Sequence, residues 1–195
     1  MTDINADSIA GANGPVYVTI DRPQKLSRLL IFVKWLIALP HYIVLYVFSI
    51  IIAVVLVIAW FAVIILGRYP AALFDALVGF ERWRLRVSAY LFFQTDSYPP
   101  FTIEDVPSYP VRLTVDNPER IGRWRPLLNW LLVIPVEIAL ALCGIAMFFV
   151  MIVAFFAILF TGRYPDGLFD LVTGYQRWYV RTAVYAYWMT GDYPV

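Results

Sequence analysis

The sequence predicts an α-helical integral membrane protein made by internal duplication, and three observations predict it. Gly67-Arg68-Tyr69-Pro70 returns as Gly162-Arg163-Tyr164-Pro165, an offset of 95 residues (67 to 162). The same offset matches Asp21 to Asp116, Trp35 to Trp130, Pro40 to Pro135, Asp75 to Asp170, Arg82-Trp83 to Arg177-Trp178 and Tyr98-Pro99 to Tyr193-Pro194, with no gap from Val16 onward. A fixed internal period marks a repeated structural unit. Each copy carries an apolar block long enough to occupy a bilayer, Leu29 to Leu66 and Leu127 to Thr161. The composition agrees. Of 195 residues, 62% are hydrophobic and 15% charged, where soluble domains average about 45–50% apolar and about 25% charged; the mean hydropathy is +0.72.

The chain divides into a polar tail (1–15), a first repeat (16–95), a Pro-rich linker (96–110) and a second repeat (111–195). The tail has no apolar core segment, so it does not read as a secretory signal, and Thr2 stands where N-myristoylation needs glycine. It is expected to be a disordered cytoplasmic tail. Val16 to Asp21 and Val111 to Asp116 alternate apolar and polar residues, the pattern of short strands. Two such strands are marginal alone, so they are expected to pair and to rest on an amphipathic helix. Asp21 and Asp116 then lead through Arg22-Pro23 and Asn117-Pro118 toward a helix start.

A straight helix over either apolar block would measure about 55 Å, against a hydrocarbon core of about 30 Å. Two arrangements fit: a membrane helical hairpin turning near the equivalent Ser49 and Gly144, or one long helix kinked near Pro40. Basic residues favour the hairpin and leave the long helix open. Arg22, Lys25, Arg28 and Lys34 stand before the first block or at its start and Arg68, Arg82, Arg84 and Arg86 follow it; Arg120, Arg123 and Arg125 precede the second and Arg163, Arg177 and Arg181 follow it. Cations flank membrane segments on the cytoplasmic side, so both flanks belong on one side and each repeat needs an even number of crossings. Gly67 and Gly162 suit the left-handed position that ends a helix, and Pro70 and Pro165 suit the first turn of another. That amphipathic, interfacial helix runs from about Ala71 to Phe93 and from Asp166 to Met189. The linker, with Pro99, Pro100, Pro107 and Pro110, is expected to be extended and solvated.

On the second helix Asp75, Gly79, Arg82 and Arg86 fall on one stripe, bordered by Trp83 and Tyr90, and the other copy keeps Asp170, Gly174, Arg177 and Arg181 with Trp178 and Tyr185. Glu81 and Arg84, matched by Gln176 and Tyr179, read as exposed neighbours that duplication did not preserve. The stripe has a structural reading, in which each Asp pairs with an Arg and the Trp anchors the interface. It also has a binding reading, in which Arg82, Arg86, Arg177 and Arg181, with Trp83 and Trp178, contact lipid phosphate or a partner. Within the apolar blocks His41, Tyr42 and Glu137 are the polar groups to explain, and an ionisable residue there is a functional candidate. If the copies pack about a pseudo-twofold axis, Glu137 could meet its counterpart Tyr42.

Several classes are excluded or left without support. A net charge of +1 gives no field for nucleic acid. The lone Cys143 excludes an intrachain disulfide. With one histidine, no Cys pair and no Gly-rich phosphate loop, no metal, cofactor or catalytic set is predicted.

The run Trp35-x4-Pro40-His41-Tyr42, Gly67-Arg68-Tyr69-Pro70, Leu73-Phe74-Asp75, Gly79, Arg82-Trp83-x2-Arg86 and Tyr98-Pro99-Pro100-Phe101 resembles a family of bacterial integral membrane proteins, domain of unknown function 4389. The second copy departs from the pattern at Val136-Glu137. The resemblance implies a multi-pass protein of the bacterial cytoplasmic membrane and implies no activity. The function expected is a non-enzymatic scaffold or accessory subunit that contacts anionic lipid, a larger membrane complex or a second copy of itself. The alternative is a small transporter or channel component built on the repeat. A lipid enzyme comes third, for want of a nucleophile–base pair.

Overall fold

In the computed structural model, which describes residues 15–194, the chain forms β1 (Val16–Ile20), α1 (Leu30–Ile37), α2 (Leu39–Leu66), α3 (Ala71–Leu91), β2 (Val111–Val115), α4 (Arg125–Thr161) and α5 (Asp166–Ala186). The tail expected to be disordered lies outside the described residues, Pro15 excepted. The strands pair with each other, antiparallel, with Val18 opposite Leu113 at the centre and Val16 opposite Val115 at one end. Shifting the whole register by the repeat offset maps it onto itself. The pair therefore sits on a pseudo-twofold axis relating the two copies.

Of the two arrangements the hairpin does not form; each apolar block is a long helix, the alternative the length allowed. Ser49 lies inside continuous α2 and Gly144 inside continuous α4. Neither has a neighbouring turn residue to help it break a run of apolar helix formers. The equivalent prolines behave differently: α1 and α2 meet at Ala38, two residues before Pro40, whereas α4 continues through Pro135. Both stretches, Leu30–Leu66 and Arg125–Thr161, are long and apolar enough to cross a membrane. Each ends as predicted on a left-handed glycine, Gly67 (φ 66°) and Gly162 (φ 69°).

Only a narrow stripe of each long helix is covered. Ile31, Ala38, Ile52 and Ala59 are buried on one seven-residue register, in which Leu45 is half-buried, and Pro126, Leu140, Met147 and Ala154 keep the equivalent register on α4, in which Val133 is half-buried. This is the spacing of a helix seam. The remaining faces are open and apolar. Among the described residues, 35 of the 40 exposed large hydrophobic side chains lie on these two helices or immediately before them.

The chain packs in three layers. α3 and α5 are the middle. α3 runs antiparallel along α2, because Phe74 shares a core with Val63, Trp83 meets Phe48 and His41, and the segment after α3 reaches Lys34. α5 runs back along α4 in the same way: Tyr175 reaches Gly144, and Asn129 bonds the Tyr185 carbonyl. The strands and linker form the outer layer, over the middle of α3 and α5; the long helices form the other. The long helices are themselves antiparallel, with Phe32 against Phe155 at one end and Trp60 Nε1–H donating to the Pro126 carbonyl at the other (3.2 Å).

The repeats are interlocked rather than side by side. β1 lies on α5 and β2 on α3. The Leu26 amide donates to the Gly162 carbonyl (2.9 Å), and the equivalent Ile121 amide donates to Gly67 (3.0 Å). Each copy thus closes the helix end of the other. The linker carries no helix or strand, as its prolines require, but it is not simply solvated. Pro99 and Tyr109 are buried, and the Ile103 side chain lies against Gly79, where an added Cβ would sit 2.8 Å from the Ile103 Cβ.

Candidate functional site

The expected stripe is real, and it faces inward. Arg82 donates through Nε and Nη2 to the Leu113 carbonyl (3.2 and 3.1 Å) and through Nη1 to Ile103 (3.0 Å). Arg177 Nε donates to the Val18 carbonyl (3.1 Å), the equivalent position on the other strand. Arg86, fully buried, holds the Thr102 and Glu104 carbonyls (3.3 and 2.8 Å). Arg82, Arg86 and Arg177 thus bolt sheet and linker to the middle layer, so their guanidinium groups are engaged within the protein. The physical reason is that two short strands present outward carbonyls that need donors, and a guanidinium offers several in one plane. Arg181 is half-buried and also engaged.

The acids of the stripe do not pair with its arginines. Asp170 pairs with Arg22, which also reaches Asp166 (2.5 and 2.9 Å), and Asp75 has no ion pair among the described residues. Gly79 is needed for the approach of Ile103, whereas Gly174 has nothing near it. The difference follows from the linker after α3, which lays Ile103 on Gly79.

Trp83 and Trp178 are not free interfacial anchors either. Trp83 is buried and its Nε1–H donates to His41 Nδ1 (3.1 Å). His41, fully buried, stacks on Phe101 (ring centroids 3.9 Å apart). Its other ring nitrogen faces the Pro99 carbonyl without closing a well-angled hydrogen bond. In the second copy Val136 replaces His41, and Trp178 Nε1–H donates directly to the Pro194 carbonyl (3.1 Å), the equivalent of Pro99. His41 is thus a spacer between a tryptophan and a carbonyl. Tyr42 and Glu137 do not form the predicted pair; both are exposed. Glu137 sits on the flank of α4 that faces Tyr175 and Tyr179.

The site that sequence reasoning missed is the seam between α3 and α5. A cleft of about 200 Å³ there is lined by Glu81, Arg84, Ser88, Tyr175, Gln176 and Tyr179, among others. Glu81 is 1% exposed, not a surface residue, and lies 2.7 Å from Arg84 Nη2. Tyr187 reaches the same carboxyl, although neither oxygen closes a bond of strict geometry. Burial pushes the Glu81 carboxyl above the ordinary range, against the opposing pull of Arg84. Arg84 in turn lies over the Tyr179 ring (4.7 Å). Gln176 Nε2–H donates to Ser88 Oγ (3.0 Å), and Gln94 to Thr173 (2.8 Å). The cleft opens toward the long-helix layer, since Tyr175 and Tyr179 face Gly144 and Glu137.

The seam holds a charge pair, amides and hydroxyls, but no base beside a nucleophile. His41 contacts Trp83, which projects from nearly the opposite side of α3 to Glu81, two residues being 200° on a helix. Among the described residues no group of three or more His, Cys, Asp and Glu could hold a metal.

Fold and site together define a tandemly duplicated, mostly helical protein whose copies interlock about a two-stranded sheet and present two long apolar helices. The chain belongs to the family Domain of unknown function (DUF4389), whose model matches it twice, over residues 28–102 and 123–195. No curated protein and no solved structure matches the chain.

Proposed function

We propose that the protein is a non-enzymatic membrane scaffold or accessory subunit that lies in one leaflet as a raft. Its two long helices are sunk in the plane of the membrane, and its sheet and linker face the cytoplasm. The bacterial cytoplasmic membrane is the location the family resemblance implies. One observation carries the reading: a polar layer runs beside the long helices for most of their length, while their other faces are apolar. A soluble monomer rarely exposes more than a few hundred Å² of contiguous apolar surface, and here nearly every exposed large hydrophobe is on one layer.

The same layering argues against upright crossings. Trp83, at mid-α3, meets Phe48, at mid-α2. An upright α2 would therefore carry the neighbouring Asp105–Arg112 ion pair (2.7 Å), Glu104 and the open sheet edges into the bilayer core. Open edges and irregular backbone do not occur facing hydrocarbon. An in-plane raft keeps them in water, and it keeps all basic flanks on one side with no crossing at all. The seam between α3 and α5 and the outer sheet are then the surfaces left for a partner membrane protein or a second copy.

Cysteines at Gln24 and Glu119, equivalent positions at opposite ends of the raft, test this in a Cys143→Ala background. Both should react with a membrane-impermeant thiol reagent from the cytoplasmic side. Labelling from opposite sides would show crossings and favour the transporter alternative.

A further inference from the structure

We propose that the two Gly-Arg-Tyr-Pro corners are a pair of docking sites for the phosphate of anionic lipid headgroups, one at each end of the raft. The proposal deepens the membrane reading above and rests on it for the source of the phosphate. At the first corner a cleft of about 440 Å³ is lined by Lys25, Arg28 and Arg163 around Gly162. At the second, a cleft of about 670 Å³ is lined by Arg120, Arg123 and Arg68 around Gly67, with Glu119 at its side. The sets are equivalent, residue for residue, under the 95-residue offset. Every corner draws cations from both copies, because each copy closes the other's helix end.

All six cations are exposed, and none has an ion pair among the described residues. Arg82, Arg86 and Arg177, by contrast, hold carbonyls. Helix-end complementation explains only part of this. Arg123 and Arg28 lie over Gly67 and Gly162, their Nε 3.3 Å from where a Cβ would be, and one cation suits a helix C-terminus. Three cations lining one cleft exceed that need and match the acceptor oxygens of a phosphate. Phe160 and Leu29 at one corner, and Ile65 and Leu66 at the other, are among the exposed large apolar residues. A phosphate held at either corner thus has a surface for acyl chains beside it, which a free phosphate would leave unused.

The test counts lipids. Protein reconstituted in vesicles of equimolar phosphatidylglycerol and phosphatidylcholine is extracted in mild neutral detergent, and retained lipid is counted by native mass spectrometry. Two phosphatidylglycerol molecules per chain are expected. Lys25→Gln with Arg163→Gln should remove one, and Arg120→Gln with Arg68→Gln the other; each pair leaves the helix-capping Arg28 or Arg123 in place. Each cation near a membrane surface is worth about 1 kcal/mol, so each double variant should bind on the order of thirtyfold more weakly. The first corner, which has no acid in its lining, should hold its lipid more tightly.

Arg112→Gln, on the sheet, should change nothing. Retention of phosphatidylcholine equal to that of phosphatidylglycerol, or variants indistinguishable from wild type, would overturn the proposal. Displacement by inorganic phosphate as readily as by short-chain phosphatidylglycerol would also overturn it, in favour of a free-phosphate site. Flotation with pure phosphatidylcholine vesicles is read separately: its loss in wild type would refute the membrane reading, while loss of lipid retention alone would refute only the corners.

Discussion

The two copies share one frame and differ in matched sets. Where copy one has His41 between Trp83 and the Pro99 carbonyl, copy two has Val136, and Trp178 reaches Pro194 directly. Where copy one buries Lys34 against Asp96 and the Thr95 carbonyl (2.8 and 2.7 Å), copy two has Asn129 and Gly191. There Asn129 bonds the Tyr185 carbonyl, and the Arg125 guanidinium occupies the space a side chain at 191 would need. Where copy one has Glu81 and Arg84, copy two has Gln176 and Tyr179. A buried polar atom is costly without its partner: Lys34 with Asp96 and Glu81 with Arg84 changed as pairs, whereas His41 changed alone because Trp178 finds the Pro194 carbonyl in its place. What did not change, the Arg82/Arg177 bolts and the glycine corners, is the frame itself.

The largest effect should come from breaking that frame. Arg82→Ala removes three hydrogen bonds to strand and linker carbonyls and should cost about 3 kcal/mol or more, since bonds to charged groups are worth roughly 1.5–3 kcal/mol each. Arg177→Ala should cost about 2 kcal/mol. Thermal unfolding in neutral detergent measures both, and equal, negligible shifts would remove the bolts from the account.

Next comes the seam. Arg84→Tyr strands a buried carboxyl and should cost on the order of 3–5 kcal/mol. Glu81→Gln should cost less, because the carboxyl already resists ionisation. The double variant, which installs the residues of copy two, should recover part of the loss, with a coupling of about 0.5–3 kcal/mol. The pH dependence has a definite sign. The folded state holds the Glu81 proton to higher pH than the unfolded state does. Stability therefore falls as pH rises from the ordinary glutamate range through the raised folded value, and is regained on acidification. A Glu81→Gln variant should lose this slope; an unchanged slope would assign it to other groups.

His41→Val copies the second repeat but leaves Trp83 short of its acceptor, at about 1–3 kcal/mol. Tryptophan emission and the melting point should both move. If neither does, the backbone near Pro99 has closed the gap as it does at Pro194.

The smallest contrast is Gly79→Ala against Gly174→Ala. The first collides with Ile103 and should destabilise. The second meets open space and should be neutral or stabilising by up to about 1 kcal/mol, the helix preference of Ala over Gly.

Much of this was legible before any coordinates. The duplication, the strands and the glycine ends were written in spacing and residue type, because each depends on local chemistry. The length of the apolar blocks allows a hairpin or a long helix; the alignment of Ser49 and Gly144 suggests the hairpin, yet the seven-residue register runs past both and the long helix forms. Gly144 is a point of close approach to Tyr175, a tertiary fact. Glu81 and Arg84 looked exposed because charges in an amphipathic helix usually are. The signal that could have found them is their joint loss in copy two at i, i+3 spacing, where side chains meet. The helices α3 and α5 end two to three residues early, at Leu91 and Ala186, and Phe93 and Trp188 beyond them have φ 59° and 61°. Aromatics seldom adopt this conformation, so nothing local announced it. That β1 belongs to α5 and β2 to α3 could not be read at all, since both assignments satisfy the same alternation.

The central claim is that the long helices lie in the plane of one leaflet. Depth-dependent fluorescence quenching measures it most directly, with a single environment-sensitive label placed in turn at Leu39, Ile50 and Ile65 of α2 in reconstituted protein lacking Cys143. The account predicts similar, shallow depths at all three positions, all exposed on the apolar layer. A profile that is deep at Ile50 and shallow at both ends would contradict it and establish an upright crossing.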